Sequence, residues 1–301
     1  FKYVIGDIMD FKLELKKYQE LVNEELTKYL RKEAVPESIL NHSVEYSLMA
    51  GGKRLRPILM LKTYQLFDKN IENCMPFAVA MEMIHNFSLI HDDLPGIDND
   101  DFRHGKLTNH KKFNEATAIL AGDSLLNQAY IVISKSLLQE QQLERKIRAF
   151  SEFTHSVDRM IAGEYVDTEY EGKQISHEYL EYIHNNKTGA LLKACCRIGA
   201  ILAGAKEDDI ENITEYANNI GLAFQIKDDI LSEIGDEKVL GKPTGNDKEK
   251  GKCTYVTKYG LEESQKKLEV LTKEAIKRTE KYGEKGEFLK ELALYMMERN
   301  K

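Results

Sequence analysis

Proline occurs at only five positions in this chain, 36, 57, 76, 95 and 243, and none falls between Pro95 and Pro243. Proline removes a backbone donor and its ring clashes with the preceding turn, so a long stretch without it can carry uninterrupted helices. The residues there are rich in Ala, Leu, Glu and Lys, which favour the same outcome. Near the start, Leu15, Tyr18, Val22, Leu26, Tyr29 and Leu30 recur at helical spacing, largely on one face. Strand signal is nearly missing: YIVIS at 130–134 is the best candidate, and it is short and flanked by helix formers. The one long polar, Gly-rich segment, GDEKVLGKPTGNDKEKGK at 235–252, has the length of a functional or disordered loop. Without an internal repeat or a convincing boundary, residues 1–301 read as a single all-α domain of about ten helices or more.

With 42% hydrophobic residues the chain can bury a sizeable core, and a net charge of -7 argues against a general nucleic-acid binder. Cys74, Cys195, Cys196 and Cys253 form no CxxC pair, and the adjacent Cys195 and Cys196 suit buried thiols. A reducing cytoplasm is therefore expected. No run approaches the roughly 18–20 uninterrupted apolar residues of a membrane span. FAVAMEMIHNFSLI carries Glu82, and TGALLKACCRIGAILAGA carries Lys193 and Arg197, so a soluble protein is expected. The first residues show no basic-then-apolar pattern and begin with Phe1, so a start residue or tag is expected to precede them.

Two stretches carry unusual charge. HDDLPGIDNDD, 91–101, places five aspartates directly after an apolar helical run. Pro95-Gly96 is expected to stop that helix just after Asp92 and Asp93, with Asp98 in the turn that follows. On an ideal helix Asp92 lies two turns, roughly 10 Å, from His85 on the same stripe. Converging carboxylates repel unless a cation sits among them, and all-oxygen ligation favours a hard ion such as Mg²⁺. An EF-hand starting at Asp98 fails, because Phe102, Arg103 and Asn109 occupy its ligand and glycine positions. From this stretch alone a solvated acidic turn and a metal site both remain open. The second stretch, GLAFQIKDDILSEIGD at 221–236, is again apolar and helical with paired Asp228 and Asp229. Helical geometry puts Phe224, Gln225, Asp228 and Ser232 on one face. Paired acids amid apolar neighbours are costly unless neutralised, and two such clusters suggest two metal-holding walls of a cavity.

The basic groups complete the pattern. AGGKRLRPIL puts Lys53, Arg54 and Arg56 in a Gly-rich loop, with Pro57 suited to be the first residue of a helix. Backbone donors at a helix N-terminus and two or three cations make a diphosphate clamp, although this is not the GxxxxGK[ST] loop. FRHGK at 102–106 and NNKTGALLK at 185–193 add Arg103, Lys106, Lys187 and Thr188, and Lys242 and Lys252 lie in the long polar loop. Together these groups fit a diphosphate with an apolar tail.

The motifs GGKRLRP, MIHNFSLIHDDLPGID, KTGAL and GLAFQIKDDIL, in this order between about residues 30 and 260, resemble those of the short-chain trans-isoprenyl diphosphate synthases, most closely the bacterial farnesyl type. The resemblance implies an isoprenoid-synthase fold, helices around a deep central cavity, and a homodimer without nucleic acid or membrane span. It implies an Mg²⁺-dependent prenyltransferase that condenses isopentenyl diphosphate with dimethylallyl or geranyl diphosphate to the fifteen-carbon farnesyl diphosphate. Ionisation, condensation and elimination follow one another, and the twenty-carbon geranylgeranyl product is the nearest alternative. By the same resemblance Asp92, Asp98 and Asp228 hold Mg²⁺, with three ions expected when substrate is bound, and Asp93 and Asp229 complete the two acidic motifs. Arg103, Lys187, Thr188, Gln225 and Lys242 bind the allylic diphosphate. Lys53, Arg56, His85 and His104 bind isopentenyl diphosphate. Phe87 and Ser88 are placed to set chain length, since bulk five residues before Asp92 shortens the product in that family. On an ideal helix Phe87 is rotated roughly 140° from Asp92, so geometry alone does not make it the cavity floor, and a core aromatic is the other reading.

Three positions depart from the family pattern. Arg103-His104 stands where two arginines are usual, DDILS puts Ser232 where the second motif has an aspartate, and Glu164 in AGEYVD replaces a usual Gln. His104 supplies a positive charge only when protonated. A terpene cyclase would have no need of Lys53, Arg56 and His85 as a second diphosphate site. A non-catalytic partner subunit is the alternative from another class, against which stands the retention of Asp92, Asp93, Asp98, Asp228 and Asp229.

Overall fold

A computed structural model describes residues 5–30, 36–139, 141–234 and 253–299. Over its described residues the proline-free run is mostly helical, as expected, and YIVIS lies inside a helix rather than a strand. The polar segment 235–252, with Lys242 and Lys252, lies outside the described residues. Chain contacts divide the molecule into two compact units, residues 1–61 with 71–146 and residues 62–70 with 147–301.

The first unit contains α1 (Ile5–Thr27), α2 (Ser38–Leu48), the start of α3 (Leu55–Gln65), α4 (Met75–Asp92), α5 (Asn109–Lys112) and α6 (Glu115–Leu137). Val22 and Leu26 of α1 are fully buried, while Tyr29 and Leu30 follow the end of the helix. Pro57 falls at the third residue of α3 rather than the first, still inside the first turn, where its missing N–H has no helical acceptor. Helix α4 is buried nearly all round, through Phe77, Val79, Met81, Met83, Ile84 and Ile90, and packs most extensively on α6. Burial of each such side chain stabilises the fold by about 1.5–3 kcal/mol. The His91 ring of α4 fills the space beside Gly122 of α6: a Cβ there would lie 2.1 Å from His91 Nε2.

Helix α6 is long and apolar enough to cross a membrane by length and composition, the one such helix among the described residues. Asp123 interrupts it, and Ala118, Ala121, Leu125, Ala129, Val132 and Ile133 are buried where it packs on α4 and α2. That is the pattern of a core helix, while Ile119, Leu120 and Ile131 remain exposed.

The second unit is organised by α10 (Glu207–Ile234). Around it pack α9 (Gly189–Ala203), α11 (Tyr255–Tyr259), α12 (Leu261–Thr279) and α13 (Glu287–Glu298). Helices α7 (Leu143–Glu169) and α8 (His177–Ile183) precede α9, and a single π turn, His184–Thr188, joins α8 to it. Leu180, Ala223, Ile226, Ile230, Tyr255, Val256, Leu268 and Leu271 form one core cluster. Cys195 and Cys196 are fully buried and form no disulfide, as their adjacency suggested.

Candidate active site

In the first unit, α4 ends at Asp92, as Pro95-Gly96 predicts. The turn that follows folds back so that the backbone N–H of Asp98 donates to the Asp92 carbonyl at 2.8 Å. The first and last acids of the motif are thereby brought together, both half-exposed. Asp93 has a different environment. It is 3% exposed, and Arg103 grips it through Nε at 2.9 and 3.0 Å and Nη2 at 2.6 Å. Burial raises the Asp93 pKa and the Arg103 guanidinium opposes that shift.

Arg103 reaches Asp93 from a two-strand hairpin that periodicity could not reveal, β1 (Phe102–Arg103) antiparallel to β2 (Lys106–Leu107). Its turn residues His104 and Gly105 have φ of 52° and 75°, the positive pair expected of a tight hairpin turn. Asn109 fixes the end of this segment by accepting from Ser43 Oγ at 2.7 Å and donating to the Ser43 carbonyl at 3.0 Å. The His104 pKa is lowered, first by burial and then by Arg103, Arg54 and Lys53. His104 is therefore neutral near pH 7 and adds no charge where an arginine would.

The Gly-rich loop uses Gly51 and Gly52 at φ of 117° and 109°, a region that favours glycine. Of its three cations, Arg54 does not join a ligand clamp. Also at positive φ, it turns inward, pairs with buried Glu82 at 2.7 Å, and donates to Asn23 at 2.9 Å and the Leu48 carbonyl at 2.5 Å. A buried carboxylate in apolar α4 demands such a partner. Lys53 and Arg56 stay half-buried, and Arg56 Nη1 lies 3.1 Å from His85 Nε2. Burial and then Arg56 hold the His85 pKa well below the usual histidine range, so the neutral ring accepts from the guanidinium. Phe87 is 7% exposed, its ring edge-on to His91 with centroids 5.0 Å apart, and Ser88 Oγ donates to the His85 carbonyl at 2.9 Å. Phe87 thus packs as a core aromatic of α4.

In the second unit, Phe224, Gln225, Asp228 and Ser232 are all half-buried along one face of α10, as helical spacing predicts, whereas Asp229 is 5% exposed. Asp229 is an internal organiser. It accepts from Gln225 Nε2 at 3.1 Å and from the Tyr255 backbone N–H at 2.8 Å, and Thr188 Oγ1 donates to Gln225 Oε1 at 3.1 Å. Buried His184 lies 3.9 Å from Asp229 and is pushed down to about 4 by burial. Asp228 instead accepts from Arg299 at 2.6 Å. Lys187, on the π turn, pairs with Glu164 at 2.8 Å and Asp167 at 2.6 Å. Glu164, the departure at that position, is thus a counter-ion of an expected substrate cation. Expected ligand Lys242 lies outside the described residues. An open cavity of about 500 Å³ in this unit, lined in part by Arg197, Glu211, Arg278 and Lys281, includes none of the expected site residues.

Among the described residues no three His, Cys, Asp or Glu side chains form a metal-holding group. The donor sets nonetheless fit Mg²⁺, which uses one or two carboxylates and completes its shell with water and phosphate oxygens. Asp92 and Asp98 supply such a pair, and Asp228 already faces a cationic group.

A family model described as polyprenyl synthetase matches residues 37–292. The chain belongs to the polyprenyl synthetase family. It is 43% identical over 259 residues to a farnesyl diphosphate synthase of Bacillus subtilis (strain 168), covering 85% of this chain and 87% of that protein. It is 44% identical to a geranylgeranyl diphosphate synthase of Cyanophora paradoxa, covering 86% of this chain and 87% of that one. A crystal structure of a geranyltransferase from Legionella pneumophila superposes with a TM-score of 0.86 at 29% identity, over 97% of this chain and 98% of its own.

Three residues of this polyprenyl synthetase escaped sequence reading. Gly163 is one: a Cβ there would lie 2.2 Å from the Lys187 backbone nitrogen. Asp167 and Arg299 are the others, and their partners lie 20 and 71 residues away. Gly163 was visible only as a helical glycine, which usually has a packing reason.

Proposed function

We propose that this prenyltransferase condenses isopentenyl diphosphate with dimethylallyl or geranyl diphosphate to give farnesyl diphosphate, with residues 1–301 acting as one catalytic domain. The observation that supports it most is the folding of the first acidic motif. Asp92 and Asp98 are joined by the 2.8 Å backbone bond while Arg103 removes Asp93 to a separate task. Farnesyl diphosphate synthases among the relatives support the same product.

In this reading Lys53, Arg56 and neutral His85 hold the isopentenyl diphosphate. Lys187, Thr188, Gln225, Arg103 and Lys242 take the allylic diphosphate. Asp92, Asp98 and Asp228 would hold Mg²⁺, three ions being expected with substrate, and the metal would supply neutralisation of charge on the departing diphosphate. Lysine and arginine donors stabilise the same charge, so the bond to the allylic carbon breaks. Apolar helix faces keep water from the carbocation, the isopentenyl double bond attacks it, and the released diphosphate takes the proton. No side-chain nucleophile enters.

Purified protein given Mg²⁺, isopentenyl diphosphate and either starter should yield the fifteen-carbon product, and chelation with EDTA should abolish it. A twenty-carbon product, the activity named for the Cyanophora relative, would keep the chemistry and show that Phe87, expected by resemblance to limit chain length, does not do so. No product with either starter would favour a partner subunit. We further propose a homodimer, with exposed Ile119, Leu120 and Ile131 of α6 as its apolar contact, to be checked by sedimentation. A cytoplasmic location is proposed because buried Cys74, Cys195 and Cys196 form no disulfide.

A further inference from the structure

We infer that Arg299 is a built-in counter-cation of the second acidic motif, and that a metal ion reaches Asp228 only by displacing it. The inference rests on the proposed role of Asp228 as a metal ligand.

Helix α13 ends at Glu298, and the backbone of Arg299 leaves it at φ -55° and ψ 146°. Its side chain then turns onto α10. Nη2 donates to Asp228 Oδ1 at 2.6 Å and to the Phe224 carbonyl at 3.1 Å, and the guanidinium stands 4.0 Å from the centroid of the Phe224 ring. The Arg299 side chain is 6% exposed, against 41% for Asp228. A long cation buried to that extent gives up hydration, so an anion, a carbonyl and an aromatic face must replace it. The seat is therefore specific for a cation on this face of α10.

The charge-assisted bond engages one oxygen of the carboxylate that would face a metal. A dication beside an intact guanidinium would meet repulsion at short range with little water between them. Apparent metal affinity is then the intrinsic affinity reduced by the fraction of molecules in which Arg299 has left its seat.

The test uses Mn²⁺ alone, on the full chain without substrate, with free Mn²⁺ read from its electron paramagnetic resonance signal. Arg299→Gln should tighten binding at one site about tenfold, the low end for a hydrogen bond to a charged group. Phe224→Leu, which loosens the seat and leaves every acid in place, should tighten it by a smaller factor. Asp228→Asn should lose that site. Unchanged or weaker binding in both Arg299→Gln and Phe224→Leu, while Asp228→Asn loses the site, would overturn the role of Arg299 and leave Asp228 as a ligand. If Asp228→Asn binds as many ions as the parent chain, the underlying reading falls and the inference falls with it. Thermal melts of each variant identify any that fail to fold, and Phe224→Leu then decides the matter if Arg299→Gln is lost.

Discussion

Gly163→Ala offers a sharp test of how α7 sets the position of Lys187. The added methyl would lie 2.2 Å from the Lys187 nitrogen, 2.8 Å from the Asn186 carbonyl carbon and 2.8 Å from the Lys187 Cα. All three are backbone atoms, so no side chain can rotate away. Ordinary contact begins near 3.4 Å, and the π turn must retreat by about 1.2 Å from α7 to restore it. Overpacking of this kind costs about 1–3 kcal/mol of stability. The displacement also acts on the groups the turn carries, Lys187 with its Glu164 and Asp167 partners and Thr188 with Gln225. A shift of about 1 Å in a group that positions substrate costs on the order of 100-fold in rate. Urea melts would read the stability, and steady-state kinetics with geranyl diphosphate would read kcat/KM. Gly221→Ala is the control, since its methyl would lie 3.5 Å from the Gly189 Cα, an ordinary contact. If Gly163→Ala matches the parent in both stability and kcat/KM for geranyl diphosphate, the close approach does not position Lys187 and the argument fails.

Arg54→Met should destabilise the first unit by about 3–5 kcal/mol, because Glu82 is left buried without its guanidinium; denaturant melts measure it, and a loss under 1 kcal/mol would show that Glu82 finds other relief. His184 has its pKa held at about 4 in the fold against 6.5 when unfolded, so its contribution is complete above pH 6.5 and is lost as pH falls through 4. Between pH 7 and pH 5 the parent should lose about 2 kcal/mol more than His184→Gln, and parallel melts of the two would expose the error if the curves run together. His104→Arg restores a permanent charge beside Lys53 and should lower the Michaelis constant for isopentenyl diphosphate; an unchanged constant would mean that position 104 does not reach that substrate.

The helical architecture was readable because the lack of proline and the apolar spacing act locally, and the C-terminal end of α4 followed from Pro95-Gly96. The two acidic clusters stood out because charge inside an apolar helical run is locally anomalous. Arg54 and Arg56 could not be told apart by charge. What separates them is the positive φ of Arg54 and an acid 28 residues away. That acid was a usable clue, since Glu82 in a run as apolar as FAVAMEMIHNFSLI needs a cation. The hairpin of β1 and β2 is too short for any periodicity, although His104-Gly105 carries turn chemistry that marks it. The pairings of Lys187 with Glu164 and of Asp228 with Arg299 join distant segments, and only the packed chain reveals them.

The double clasp on Lys187 has a consequence for selectivity among anions. An ammonium held between two carboxylates does not respond to every passing phosphate, because a weakly charged anion must outcompete two fixed negative partners at once. Only a ligand of high charge, anchored elsewhere along its length, draws the lysine away. If Lys187 takes the allylic diphosphate as proposed, inorganic phosphate and simple monoesters would be disfavoured at that position relative to a diphosphate with a hydrocarbon tail.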